Sequence, residues 1–266
     1  MERIDKHLAQ SGLSSTREQA KKEILAGWVK INGETCLDVS RKVEGIENIT
    51  VSRPKGLFVS RGGYKLEKAL NYFNIDVSGL TVLDLGASTG GFSDCMLKRG
   101  ASFVYAVDVG YGQLDYSLRI DKRVEVMERT NARNLTIENF EKGIPTFVSA
   151  DLSFISFTKV FPVIRGLFKD IKGVALIKPQ FEAQRGEHKK GVVKSSSVHL
   201  DILTRVLTIL SDQGCSLSGL THSPVTGPKG NIEFLLYFSL VEDSSFDLSS
   251  IEDIVKCAWD ELKEKS

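Results

Sequence analysis

Apolar positions along this chain follow two rhythms, and the change falls near residue 55. Ahead of it the elements are short. Ile4, Leu8 and Leu13 start a first helix, and Thr16 or Ser15 caps a second that runs through Ala20, Ile24 and Leu25 to Gly27. The run WVKI at 28–31 then reads as a strand entering an Asn32-Gly33 turn, and ENITV ahead of Pro54 reads as a further strand. Beyond Lys55, apolar runs near 81–86, 103–110, 124–129, 144–151 and 173–178 alternate with helical spacings near 62–73, 91–99, 157–169 and 195–213. Strands separated by helices predict a parallel sheet covered on both faces. Two last runs, near 215–222 and 231–240, are joined by SPVTGPKGN with no helix between them, so they should be antiparallel. A closing amphipathic helix carries Ile254, Val255, Ala258, Trp259 and Leu262. The expected fold is α/β: a Rossmann-like, mostly parallel seven-stranded sheet with one reversed strand, preceded by a small α+β domain. The expected division is 1–53 for the small domain, 54–60 for a linker and 61–266 for the core.

Composition narrows the class. The chain has 266 residues and is 41% apolar, enough for a sizeable core. It contains no run of about 18 uncharged apolar residues of the kind that spans a bilayer. Its start, MERIDKHLAQ, carries charges where a secretory signal has an apolar stretch. The cysteines at 36, 95, 215 and 257 form no CxxC pair and suit reduced thiols in the cytoplasm. A net charge of +1 hides an asymmetry. Residues 1–65 hold twelve Lys and Arg against eight Asp and Glu, while the tail from Val241 holds three Lys against eight acids. A basic front suits an anionic partner, although a surplus of this size also occurs on ordinary surfaces.

The chemistry gathers first at TVLDLGASTGGFSDCML, residues 81–97. An apolar strand ends in Gly86, a turn of small residues follows, and a helix begins near Phe92. Ligands of open α/β sheets sit at such carboxyl ends, and the glycines let one approach the backbone. Dinucleotides and S-adenosylmethionine both fit this arrangement. The spacing is Gly86-x-x-x-Gly90-Gly91, with Ser88 where a dinucleotide turn needs its second glycine. That spacing and the reversed late strand favour S-adenosylmethionine. Asp108, 22 residues past Gly86, ends the next apolar run, where a carboxylate can hold ribose hydroxyls in either class. The candidate cofactor contacts in this stretch are Asp84, Gly86, Ala87, Ser88, Thr89, Gly90, Gly91, Phe92, Asp108 and Val109.

Further polar residues stand at apolar runs. Asp151 follows TFVSA, Lys178 follows VALI, Glu233 sits in the run 232–238, and Lys65 lies in SRGGYKLEKAL just ahead of the first core helix. A lysine on a parallel strand is costly to bury unless it is paired or functional. The plain alternative is a structural ion pair. There is no P-loop and no HExxH, and His7, His188, His199 and His222 lack metal-ligand spacing, so no metal is expected. His199 reads as a polar residue on a helix face.

The segment RIDKHLAQSGLSSTREQAKKEILAGWVKINGE resembles the S4 RNA-binding domain. The segments SRGGYKL, LDLGASTGGF, VDVG, RTNARNL, SADLSFIS, LIKPQFE and SPVTGPKGNIEF resemble the TlyA family, also called the hemolysin A family. The resemblance covers nearly the whole chain. It implies an S4 domain joined to an FtsJ-like class I methyltransferase core that uses S-adenosylmethionine. It further implies 2′-O-methylation of cytidine in ribosomal RNA, in the small subunit and also the large one, with ribosomal RNA or subunits as partners. The family's catalytic Lys-Asp-Lys-Glu set falls on Lys65, Asp151, Lys178 and Glu233, with Lys178 activating the 2′-hydroxyl. Asn131 and Ala132 would flank the adenine, and Asp151 would lie beside the methyl group. Phosphate contacts are expected from Arg3, Lys6, Arg17, Lys21, Lys22, Lys30, Arg61, Lys189 and Lys190, with the loop 185–194 closing over the RNA. One departure concerns the linker: where the family carries an Arg-x-Trp-Val type tetrapeptide, this chain reads Gly56-Leu57-Phe58-Val59. Two other readings remain: a catalytically silent S4-tethered RNA factor, and a membrane-active hemolysin, which no signal or membrane segment supports. The sequence sets no oligomeric state.

Overall fold

The computed structural model describes residues 2–25, 28–52, 58–227, 230–241 and 246–263. The chain divides into two compact units, Met1–Leu57 with Asp115–Asp121, and Phe58–Leu114 with Lys122–Ser266. The first unit therefore takes in a segment that the sequence reading assigns to the core. Gly27 and residues 54–57 of the expected linker lie outside the described residues, as does the Lys22 side chain.

In the first unit β1 (Glu2–Arg3) leads into α1 (Ile4–Gln10), and α2 (Arg17–Leu25) follows with the Thr16 hydroxyl accepting from Gln19 N at 3.0 Å. β2 (Val29–Ile31) turns into β3 (Glu34–Thr35) through Asn32 and Gly33, both at positive φ, the two-residue hairpin that an Asn-Gly pair favours. β4 (Lys42–Val43) pairs with β1, and β5 (Ile49–Val51) pairs with β2. Ile4, Leu8, Ala20, Ile24, Val29, Ile31, Cys36 and Val43 make the core of this unit. Leu13 lies beyond the end of α1 and only packs against that core.

The second unit opens with α3 (Gly62–Tyr72), β6 (Thr81–Leu85), α4 (Gly91–Lys98) and β7 (Phe103–Val107). After α5 (Tyr116–Arg119), which falls in the first unit, come β8 (Val124–Met127), β9 (Phe147–Ala150), α6 (Phe161–Leu167) and β10 (Lys172–Ile177). α7 (Pro179–Glu182), α8 (Ser196–Asp212), β11 (Ser216–His222), β12 (Phe234–Ser239) and α9 (Ile251–Lys263) complete it. Among the described residues the strands form one sheet in the order β11-β12-β10-β9-β6-β7-β8. β12 runs antiparallel to both β10 and β11, and the other pairings are parallel. The single reversed strand of the sequence reading is β12. Leu83, Leu85, Tyr105 and Val107 join the core cluster that also holds Phe161 of α6, Ile202 and Val206 of α8 and Val255 of α9. The alternate residues Val82, Val104 and Ala106 are equally buried but stand outside that cluster, as the period of two requires of the opposite face.

Three local expectations change. The helix expected over 157–169 splits into a 3₁₀ turn at Phe157–Lys159 and α6, with Pro162 in the first turn of α6, where its missing N–H is harmless. Lys65 lies inside α3, not ahead of it. His199 is wholly buried: its Nδ1 meets Ser195 O at 2.9 Å, and its ring packs beside Phe234 and Trp259.

Candidate active site

The turn after β6 is built from backbone. Gly86 N and Ala87 N both donate to Val107 O, at 2.8 and 3.0 Å, which ties the turn to the end of β7. Gly86, Ser88 and Gly90 all have positive φ, and α4 starts directly after Gly90. A side chain at Gly86 would come within 2.5 Å of Asp151 O, so only glycine lets β6 and β9 close to this separation. Gly91 stands against Ser60 and, at 2.9 Å for an added Cβ, against Gly63 N, so the first turns of α3 and α4 meet without side chains between them. A cavity of about 310 Å³ opens above this floor, at the carboxyl ends of β6, β9 and β10. Lys65, Gly86, Ala87, Ser88, Thr89, Gly91, Phe92, Asp151 and Lys178, all singled out in the sequence, line it. So do Ser60, Gly62, Ser153, Thr226 and Gly227, which sequence reasoning missed, and Arg61, expected there only as a phosphate contact.

Two ion pairs face the cavity. Lys65 Nζ lies 2.5 Å from Glu233 Oε2, and Gln180 Nε2 donates to the other carboxylate oxygen at 3.0 Å. Glu233 is fully buried and the Lys65 side chain is 9% exposed. Gly227 lies directly on the Glu233 carboxylate, leaving no room for a Cβ. The second pair is less buried. Lys178 Nζ lies 2.5 Å from Asp151 Oδ1 without hydrogen-bond alignment and donates to Ser153 Oγ at 3.1 Å. Asp151 is 22% exposed, and the Phe181 ring centre lies 5.8 Å from Nζ. Phe154 stands 89% exposed at φ 65°, its ring 5.0 Å from that of Phe181.

Some expected contacts fall elsewhere. Asp84 does not reach the cavity. It is fully buried beneath it, accepting from Ser93 Oγ at 2.6 Å and Ser149 Oγ at 2.8 Å. Burial pushes its carboxyl up to about 6, against the pull of those hydroxyls. Gly90 shapes the turn without lining the cavity, and Val109 stands 71% exposed. Asn131 accepts from Arg133 N at 3.0 Å, capping a short turn in which Ala132 is buried. Arg3 and Arg17 both bind buried Asp5, at 3.0 and 2.9 Å, a role inside the first unit that the sequence did not show. Burial raises the Asp5 carboxyl, but hydrogen bonds from these guanidinium groups overcome it and leave it at about 2. Lys6 pairs with Glu2 and Lys21 with Glu18, while Lys30, Lys189 and Lys190 stand exposed.

A nucleoside cofactor fits these residues. The cavity is of the size small-molecule sites take, about 300–1,000 Å³. It lies beside the boundary between β6 and β9, where strand order reverses. Asp108, at the end of the adjacent β7, is oriented by Ser88 N at 2.8 Å and Gly110 N at 2.6 Å. Each of its oxygens keeps a lone pair for a diol hydroxyl. Among the described residues no three His, Cys, Asp or Glu side chains cluster to hold a metal, and no helix is long and apolar enough to cross a membrane.

The comparisons agree with this layout. The FtsJ-like methyltransferase family matches residues 58–240, and the S4 domain matches residues 2–48. The 16S/23S rRNA (cytidine-2′-O)-methyltransferase TlyA of Mycobacterium tuberculosis is 41% identical, over 97% of this chain and 97% of that protein. Hemolysin A of Brachyspira hyodysenteriae is 43% identical, over 89% of this chain and 99% of that protein. A solved structure from Streptococcus thermophilus, of a protein whose given name includes hemolysin, superposes with a TM-score of 0.77 at 42% identity, covering 99% of this chain and 98% of that one. By these matches and by the order of its two domains, the chain belongs to the TlyA (hemolysin A) family, an S4 domain followed by an FtsJ-like methyltransferase.

Proposed function

We propose that the protein transfers a methyl group from S-adenosylmethionine to the 2′-oxygen of a cytidine in ribosomal RNA, with small-subunit RNA the first candidate and large-subunit RNA the second. The observation that carries this is the meeting of Lys65, Asp151 and Lys178 on one cavity floored by the glycine turn, with Glu233 buried behind Lys65 as its partner. The name of the mycobacterial relative supports the substrate, and the S4 match supports RNA as partner. Cytoplasmic placement, where ribosomes are assembled, is part of the same reading.

The turn 86–91 would carry the donor, Asp108 its ribose, Asn131 and Ala132 its adenine, and Asp151 would stand at the methyl end. When bound, the donor supplies a methyl group on a sulfonium centre. The protein's part is to place the hydroxyl and draw off its proton. Lys65 is the wrong lysine for that. Leaving Glu233 would strand a fully buried carboxylate. Lys178 holds a partner that is partly exposed. Once Lys178 has released its own proton to solvent on that side, its neutral amine would take the proton of an incoming hydroxyl as the oxygen gains the methyl group and the donor's S–CH3 bond breaks. Lys65 and Glu233 then fix the charge beside it, and Asp151 and Ser153 orient its Nζ. The exposed lysines, with Arg61 at the rim and the arginines of the first unit, would bind phosphates.

The test is transfer of labelled methyl groups to purified 30S subunits, 50S subunits and naked ribosomal RNA from a host lacking the protein. Label at one cytidine, in a linkage resistant to alkali, is the expected result. No label on any substrate, with cofactor binding intact, would refute the activity and favour an RNA-binding factor.

A further inference from the structure

The loop after α7 contains a small hairpin. Lys189 and Val192 pair antiparallel, and Lys190 and Gly191 between them both have positive φ, a strained conformation for a lysine. The turn holds two exposed lysines, Lys189 and Lys190, and Lys194 follows. Asn231 seats this hairpin from beneath and is itself only 2% exposed. Its Nδ2 donates to Gly191 O at 2.9 Å, and its Oδ1 accepts from Val193 N at 3.2 Å. The same residue holds the cavity wall: its carbonyl accepts from Gly227 N at 2.8 Å, and Gly227 lies on Glu233. Two residues further on, Glu233 O accepts from Ser223 N at 2.8 Å.

We propose that Asn231 is a positioning residue that joins the basic hairpin to the Lys65–Glu233 wall, so that phosphate capture by Lys189 and Lys190 sets the catalytic carboxylate in place. This rests on the reading of the protein as an RNA methyltransferase. A hairpin acting only as a grip would alter RNA affinity. A hairpin held by the side chain of Asn231, whose backbone carbonyl holds the wall at Gly227, alters the turnover step as well. Asn231 thereby gives the enzyme a means to complete its site only on RNA that reaches the hairpin.

The test is a cycle in the full-length protein with naked ribosomal RNA as substrate. It combines the paired change Lys189→Ala/Lys190→Ala with Asn231→Ala, and uses Asn231→Asp as a conservative variant that keeps the acceptor for Val193 N and loses the donor to Gly191 O. The lysine change should raise KM for RNA and lower kcat about fivefold to tenfold. In either Asn231 background the kcat effect of the lysines should fall to less than twofold, a non-additivity expected of coupled residues. Multiplying effects, or a lysine change confined to KM in every background, overturn the proposal. Hydrogen exchange reads the same coupling without turnover. Bound RNA should slow exchange at the Gly227 and Ser223 amides in the native protein and not in the variants. Unchanged exchange in the native protein with RNA bound overturns the coupling. The slowing without methyl transfer would uphold the coupling and refute the catalytic reading instead.

Discussion

Replacing Gly86 with alanine tests whether the catalytic geometry depends on backbone contact between β6 and β9. The new Cβ would sit 2.5 Å from Asp151 O, whereas ordinary contact begins at 3.4 Å, so the two segments must part by about 0.9 Å. The φ of +80° adds a left-handed penalty of about 1–2 kcal/mol for any residue with a Cβ. The displaced atom belongs to the residue whose carboxylate holds Lys178 at 2.5 Å. A displacement near 1 Å at a reacting group lowers the rate by about 10²-fold. The cost should appear in single-turnover methyl transfer at saturating cofactor. Phosphate-based RNA affinity should stay within about twofold, because the cationic residues named for it are unchanged. The melting transition should fall by several degrees and stay cooperative. A variant that transfers methyl groups within threefold of the native rate would show that Asp151 need not be held by this contact, and would refute the argument.

Lys178→Ala should lower kcat by about 10²–10⁴-fold, the usual worth of a positioned acid or base, while RNA binding by filter retention stays nearly native; unchanged turnover would remove Lys178 from the reaction. Asp84→Asn tests the buried carboxyl. Burial raises it from the ordinary 3.8 to about 6, so the folded chain holds this proton more tightly than the unfolded one. Its contribution to stability is present at low pH and is lost as pH rises from about 4 through 6, a change of order 3 kcal/mol. The asparagine variant should flatten that slope in melting curves between pH 4.5 and 7, and an unchanged slope would place its origin elsewhere. Asp5 has the opposite sign. Its carboxyl lies at about 2, so its stabilisation is present above the ordinary 3.8 and is lost as pH falls through 2. Asp5→Asn should weaken the first unit by about 1–2 kcal/mol, less than the roughly 3–5 kcal/mol of a fully buried pair because both arginines are half exposed. Urea unfolding followed by Trp28 fluorescence in a Trp259→Phe background reads this, and an unshifted midpoint would contradict it.

The sheet was legible because its strands are buried on both faces and read as apolar runs that end in single polar residues. Asp151, Lys178 and the turn at Gly86 follow from that pattern, and so does the reversed β12, since a loop without a helix joins it to β11. Asp84 was misplaced by a rule that parity could have corrected. Leu83 and Leu85 face one core, so Asp84 must face the other, opposite Ser149 on β9 and against α4. The paired strands β1 and β4 have two residues each, too short to show a period of two. Ser60, Ser153, Gln180, Thr226 and Gly227 carry no periodic signal; they matter because distant segments meet there. The beginning of α3 shows the same limit. The helix near 62–73 was read from its spacing, but not why it starts on two glycines: Gly63 and Gly91 must pass closely.

The four paired charges at the cavity, Lys65, Glu233, Lys178 and Asp151, sum to zero, with side-chain exposures of 9%, 0%, 11% and 22%, and leave Arg61 at the rim as an exposed cation. Such a site has little reach toward a polyanion, and mobile ions have little access to it. Attraction of RNA therefore falls to the exposed lysines at the hairpin and in the first unit, which salt screens fully. Recognition and chemistry are thus carried by charges of different accessibility, and ionic strength should separate them. Between 50 and 300 mM salt, affinity for RNA should fall along a straight line in log–log form, while single-turnover rates at saturating RNA fall by no more than the roughly fivefold to tenfold assigned to the hairpin lysines, and by less than about twofold in the Lys189→Ala/Lys190→Ala variant. A chemical step that slowed in parallel with binding would mean that the catalytic pairs are open to solvent, or that the seating of the hairpin on Asn231 is itself salt-sensitive. The Lys189→Ala/Lys190→Ala variant distinguishes these, because it removes the hairpin's share of the salt dependence and leaves the buried pairs as they are.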